Sequence, residues 1–467
     1  MKTNLSQSTS DAAHAGAAPP VPKREGLWGR GRRISGYFSW HALATFLNHG
    51  IPQLVLFPLC LHLIGKEEFG KFVYALGMVR IVDQAPTRGL INTLLRNIAG
   101  IANERRNVLI RTTFILALCA VAGIALPAIL ACLGVWGFGG GGAKVPLWTA
   151  ILVLAIAAQN IIYVTTADLA VKRRFAHQAL WQCMGGVLSL VALPGVLLVG
   201  SSGVPAGYTL GYLVALALLL IVRRETLIGK PQFDKGMARR VASLWVILSV
   251  SALFMQSGRY IHRTLLGAFG SYEMVSVFFA AAATLTLFAV PFSELSGFGV
   301  QLLSAHASKR TLSRRILRWY PLAAVAGAVF LYGLLIFLAP WVVHLLYPAV
   351  AGSALKALSI MAPGVAISVL WFASKPYVVK FSPRGALVVI GIVSLLSHLG
   401  SALVLIPRWG LVGAAWAFSI GMTVSSLTWF GFLIVGIRRP ISDQDLDTSV
   451  DDLDPDGMSM RQSPSRD

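Results

Sequence analysis

The sequence predicts an all-α polytopic membrane protein with about 12 transmembrane helices. Three observations carry this. The 467-residue chain is 56% hydrophobic and only 13% charged, against roughly 25% charged residues in an ordinary soluble protein. Its apolar residues fall in long blocks rather than in short amphipathic stretches, and a bilayer-spanning helix needs about 20 consecutive mostly apolar residues. The net charge of +21 sits in short basic clusters between those blocks. That is the pattern of loops facing anionic lipid, not of a surface for nucleic acid.

Taken in order, residues 1–35 are polar with a basic end and form a cytoplasmic N-terminus expected to be disordered. They are not a cleavable signal, because the apolar block that follows is too long. Twelve spans then run over approximately 36–64, 69–95, 108–137, 145–171, 177–200, 203–223, 241–266, 273–304, 319–347, 352–378, 384–406 and 411–437. Arg30, Arg32 and Arg33 precede the first span, and "VKRRF" follows the fourth. "RRETLIGKPQFDKGMARR" follows the sixth, "SKRTLSRRILRW" the eighth, and Arg438 and Arg439 the twelfth. The alternate loops are nearly bare, with Lys66, Lys71, Lys144, Lys356 and Arg408. Basic loops stay inside, so both termini are expected in the cytoplasm. The tail 438–467 is polar and acidic and is expected to be disordered. The four cysteines all fall in apolar blocks without CxxC spacing, and read as packing residues.

Two weak internal repeats divide the chain. "GKEEFGKFVYALG" from Gly65 matches "GSYEMVSVFFAAA" from Gly270 at a shift of 205, placing Tyr74 opposite Phe279. "GVPAGYTLGYL" from Gly203 matches "GLVGAAWAFSI" from Gly410 at a shift of 207. Similar offsets imply two six-helix lobes, 36–223 and 241–437, joined by a basic cytoplasmic linker at 224–240. Six is even, so the lobes share a topology and their pseudo-symmetry axis lies along the membrane normal. Transporters place substrate in a central cavity between such lobes.

The charges inside the spans are the candidate site. In "RIVDQAPTR", Arg80 and Asp83 fall roughly at mid-membrane and share a helical face with Gln84 and Thr87. A kink at Pro86 brings Arg88 toward that face. A charge at the bilayer centre costs about 2.5–3.5 kcal/mol on insertion scales unless it is paired or meets a wet cavity. Two readings stay open: a structural Arg80–Asp83 pair, or a cationic cavity wall in which Asp83 orients Arg80 and Arg88 makes the site net positive. In "QSGRYIHRTLLG", Gln256, Arg259, Tyr260 and Arg263 share a face, with His262 beside them. Near the outer end, snorkelling to the surface competes with a binding role. His41, Thr45, Asn48 and Pro52 form a polar line on the first span. Glu294 is a lone acid on the eighth span, either an ion-coupling group or an interfacial one. Asp168 and Lys172 read as a local pair. "GFGGGG" lacks the strand and GK[ST] of a phosphate loop, and no metal-ligand or nucleophile motif is present.

Several stretches carry a family resemblance. "LHLIGKEEFGKFVYALGMV", "RGLINTLLRNIA", "IHRTLLGAFGSYEMVSVFFAA", "LLYPAVAGSALKALSIMAP" and "LIPRWGLVGAAWA" resemble, in order and spacing, segments of the polysaccharide (O-antigen type) flippases. These belong to the multidrug/oligosaccharidyl-lipid/polysaccharide exporter superfamily. The resemblance runs over spans one to twelve. Thr87 and His262 stand where that family often has acids. The resemblance implies a V-shaped bundle with a central cavity, in a bacterial inner membrane. It implies alternating-access export of polyprenyl-diphosphate-linked oligosaccharide, beside polymerase and glycosyltransferase partners, with no cofactor. Arg80, Arg88, Arg259 and Arg263 would bind the diphosphate, and Glu294 and His262 are candidates for ion coupling. The rivals are a drug or small-solute antiporter of the same superfamily, a membrane enzyme and a non-transporting scaffold. The first span lacks an acid and every outer loop is short, which weighs against the first two.

Overall fold

The structure, a computed structural model, describes Ser39, Leu43 and residues 46–97, 103–138, 144–171, 174–228, 235–304, 314–382 and 384–438. The expected disordered stretch 1–35, residues 229–234 of the linker and the tail from 439 lie outside them. Apart from short turns the described residues are helical, and no strand occurs among them.

The first span is irregular for a covalent reason. Its turns Phe46–Gly50 and Pro52–Leu56 are wide π-type turns that run into the helix Phe57–Asn97. Prolines 52 and 58 each remove an N–H from the backbone ladder. The carbonyl of Gln53, whose π-type partner would be the N–H that Pro58 lacks, instead accepts from the Tyr347 hydroxyl at 3.0 Å. Gly65, at φ 80 and ψ 171, then breaks Phe57–Asn97 into the end of the first span and the whole of the second. Only a residue without Cβ takes such angles at low cost.

The third, fourth and sixth spans are Asn103–Phe138, Lys144–Val171 and Gly203–Ile228. The fifth is Phe175–Leu188 continued through a 3-10 turn into Ala192–Val199. The seventh and eighth are Lys235–Phe269 and Tyr272–Ser304. The ninth is Arg314–Phe337 followed by Ala339–Leu346, and the tenth is Ala351–Phe381. Arg384–Arg438 holds the last two, broken at Gly410 with φ 52.

Seven helical segments among the described residues are long and apolar enough to cross a membrane. Two of these, Ala176–Arg224 and Gly385–Gly436, each contain two spans. The segments 46–97 and 235–269 are outside the seven, and they hold the arginines singled out above, Arg80, Arg88, Arg259 and Arg263.

Helices pack both within and across the two stretches 46–228 and 235–438. In the first, the fourth span packs on the second, third and sixth. In the second, the tenth packs on the eighth, the ninth and the last pair, and the seventh lies along that pair. The halves meet where the second span runs beside the seventh and eighth. A small residue makes that approach possible: a Cβ on Gly89 would strike Ser249 and Trp245 of the seventh span.

Candidate functional site

A cavity of about 250 Å³ lies between the halves. The first, second and sixth spans contribute Asn48, Arg80 and Tyr208 to its wall. The seventh, eighth, tenth and twelfth contribute Tyr260, Arg263, Phe279, Glu294, Ser368 and Met422, among others. Of the residues expected from sequence, Arg80, Arg263 and Glu294 therefore face one space. Asp83, Arg88 and Arg259 lie in the same two helices, but their side chains are outside the described residues.

Arg263 does not snorkel to a surface. Its Nε is buried and makes no hydrogen bond. Its guanidinium sits 5.5 Å from the centre of the Tyr260 ring, one turn earlier, and 4.9 Å from that of Phe279 on the eighth span. Ring faces carry negative charge density and attract such a cation. No ion pair to Arg263 occurs among the described residues.

Arg80 is held from the first half. Its Nη2 donates to the Tyr208 hydroxyl at a long 3.5 Å. The Tyr208 ring packs on Tyr212 at 5.1 Å. The Tyr212 hydroxyl donates to Asn48 Oδ1 at 3.3 Å and accepts from Gln159 Nε2 at 3.4 Å. Asn48 Nδ2 donates to the Tyr163 hydroxyl at 2.6 Å. A connected polar network of this kind fixes rotamers that apolar contacts leave free. Asn48 was visible in the sequence as part of a polar line. Tyr208, Tyr212 and Phe279 were not, because an aromatic in an apolar span reads as core.

His262 is not on the cavity wall. It is fully buried, with its ring 5.1 Å from that of His398 and packed on Phe278 and Phe418. His41 and Thr45 lie outside the described residues, as do the side chains of Asp168 and Lys172. Among the described residues, no group of three or more His, Cys, Asp or Glu side chains is placed to hold a metal ion.

An aromatic cluster adjoins the cavity, with Phe57, Tyr208 and Phe279 on its wall. Phe57, Phe69, Phe72, Tyr208 and Phe279 form this cluster, each at most 5% exposed. Phe279 stands edge-on to Phe57 at 5.3 Å and to Phe69 at 5.6 Å. Toward Gly65, the Ser276 hydroxyl donates to the Lys66 carbonyl, and Tyr74 packs on Tyr272 at 5.5 Å. There Glu68 meets Lys71 at 2.8 Å and Lys144 at 3.4 Å.

No protein-family model matches the chain, and no curated protein matches it. Solved structures do. A MATE protein in complex with MaD3S has a TM-score of 0.66 at 16% identity, covering 87% of this chain and 96% of that one. An outward-facing multidrug resistance MATE family transporter of the MOP superfamily has a TM-score of 0.66 at 15% identity, covering 87% and 97%. A MOP superfamily transporter from Pyrococcus furiosus, whose binding pocket is described as having reverse polarity suggesting a different function, has a TM-score of 0.65 at 16% identity, covering 86% and 96%. At these identities the likeness shows the fold: this chain is built like the MATE transporters of the MOP superfamily.

Proposed function

We propose that this protein is a flippase that exports a polyprenyl-diphosphate-linked oligosaccharide across a bacterial inner membrane by alternating access. One observation carries the reading. Arg80 and Arg263 come from opposite halves, face one cavity, and Arg263 has no acid partner among the described residues. A buried charge without a partner costs several kcal/mol. A bound anion removes that cost, and a diphosphate suits arginine forks in both charge and geometry. Asn48, Thr286, Ser293 and Ser368 on the same wall offer hydrogen bonds to sugar hydroxyls. The prenyl tail stays in lipid. The likeness to transporters solved in outward-facing and inward-facing conformations supports alternating access, and one fold relative is itself described as having a binding pocket of reverse polarity that suggests a different function.

A second reading, an ion-coupled antiporter for drugs or small solutes, draws on Glu294, which is also on the wall. One experiment separates them. Lipids are extracted from a deletion strain and assayed for polyprenyl-diphosphate oligosaccharide held on the cytoplasmic side. The flippase reading expects accumulation, rescue by the wild-type chain, and no rescue by an Arg80→Ala/Arg263→Ala double variant that still inserts. Normal lipids with raised sensitivity to cationic drugs favour the antiporter. Full rescue by the double variant sinks the site assignment.

A further inference from the structure

We propose that Phe279 is a positioning residue that ties Arg263 to the aromatic seal between the halves, so that capture of an anion loosens the seal. This rests on the cavity being an anion site. Phe279 belongs to both structures. It comes from the eighth span, in the second half, and lines the cavity. Its ring faces the Arg263 guanidinium at 4.9 Å. It also wedges between Phe57 and Phe69 of the first half, at 5.3 and 5.6 Å. Tyr208 plays a similar part for Arg80, but its aromatic partners, Phe57, Phe72 and Tyr212, all belong to its own half. Within this cluster, Phe279 is the ring that comes from the second half.

The coupling has a definite sign. A bare guanidinium pulls on the ring face through its charge. An anion gripped in the plane of the guanidinium compensates that charge. The pull on Phe279 then weakens, and with it the placement of the ring between Phe57 and Phe69. Edge-to-face aromatic pairs are individually weak, so a seal built from them opens when its anchor slackens. Because coupling is reciprocal, the closed seal lowers anion affinity and the open seal raises it.

Cys60 is the natural reporter, fully buried one helical turn from Phe57. The test uses the purified full-length chain with Cys119, Cys132 and Cys183 replaced by Ala. Maleimide labelling of Cys60 is timed with and without inorganic diphosphate, and diphosphate binding is measured by calorimetry on the same samples. In the parent, diphosphate is expected to speed labelling by at least about fivefold, the low end of ordinary allosteric coupling. Phe279→Leu labels fast without ligand and no longer responds, while still binding diphosphate. Phe69→Leu also labels fast but keeps its response, because the Arg263–Phe279 contact remains. Arg263→Gln, which mimics the neutralised arginine, labels fast without ligand and covers the case in which Phe279→Leu does not fold. Binding without faster labelling in the parent, a full response in Phe279→Leu, or slow labelling in Arg263→Gln each overturns the coupling and leaves the anion site standing. Absence of diphosphate binding in the parent overturns the anion site and the coupling with it.

Discussion

At the scale of residues, charge in an apolar block is legible and the groups that hold it are not. Arg80, Arg263 and Glu294 stand out in the sequence because a charge in a span needs a reason, and all three line the cavity. Tyr208 and Phe279 sit beside the arginines yet carry no such signal. Their value lies in contacts to segments far away in the chain, and periodicity does not register those. Tyr208 makes this testable. Tyr208→Phe keeps the ring in the seal and removes the hydroxyl that accepts from Arg80. The contact is long at 3.5 Å, so the loss should be about 0.5–1.5 kcal/mol, the range of an ordinary hydrogen bond. Calorimetry should show diphosphate binding weakened by roughly two- to tenfold, with labelling of Cys60 unchanged; a loss as large as that of Arg80→Ala would give the hydroxyl a direct role with the ligand. Glu68, outside the spans, gives a pH dependence. Burial pushes its carboxyl up, but hydrogen bonds from Lys71 and Ser201 and the charges of Lys71 and Lys144 outweigh this and hold it below the usual carboxylate range. A depressed carboxyl contributes stability above its unfolded pKa and loses it as pH falls through the folded one. The tie to Lys144 should therefore hold at neutral pH and release only in acid. Lys144 is 59% exposed, so Glu68→Gln should cost no more than about 1 kcal/mol at pH 7. Thermal melts of the variant and wild type should converge as the pH is lowered through the carboxylate range.

At the scale of elements, the described spans were legible to within about six residues, mostly through apolar length, although the helices that carry the arginines, 46–97 and 235–269, are not among the segments apolar enough to cross by that measure. The irregularities inside them were only partly so. Sequence marks Pro52 and Pro58 as ladder breakers, but it does not show that Tyr347, almost three hundred positions later, accepts the task of capping Gln53. Nor does it show that the ninth span is interrupted at Leu338, between Arg314–Phe337 and Ala339–Leu346. The Tyr347 bond joins the first span to the second half, and its removal should be felt in both. Tyr347→Phe leaves the ring in place and removes the hydroxyl that donates to a part-buried carbonyl, at a cost of about 0.5–1.5 kcal/mol. Amide exchange should rise through 46–56 while the third and fourth spans stay protected. Uniform exchange across the first half would show that the bond is incidental. Gly89 is a sharper case. Its Cβ position is already filled by Ser249 and Trp245, so Gly89→Val should push the second span off the seventh. Overpacking of this kind costs typically about 1–3 kcal/mol, read as a lower melting temperature. A paired Trp245→Ala should recover part of it if contact with that ring is the cause.

At the scale of the whole molecule, the loops carry the argument. Those the sequence assigns to the outer face come together at one end of the structure. Glu68 reaches Lys144, Trp148 donates to Ser202 at 3.3 Å, Ser276 reaches Lys66, and Gly410 lies near Met274. An odd number of spans between any two of these loops would have placed them at opposite ends, so the alternation of basic and bare loops and the helix count agree with each other. Which end faces the cytoplasm rests on the charge asymmetry alone. The aromatic seal lies at the bare end. If the basic loops are inside, the seal closes the outer face, and the cavity, which runs down the eighth span toward Glu294, is placed to load from the cytoplasmic side. If the orientation is reversed, the same geometry describes a state closed to the cytoplasm, with the cavity placed to load from the outer side. Impermeant labelling of intact cells decides this. A cysteine at Lys144→Cys should label without permeabilisation, whereas one at Arg438→Cys should label only after it. The reverse pattern would leave the fold and the arginine cavity untouched while turning the direction of transport around, because the seal would then guard the opposite leaflet.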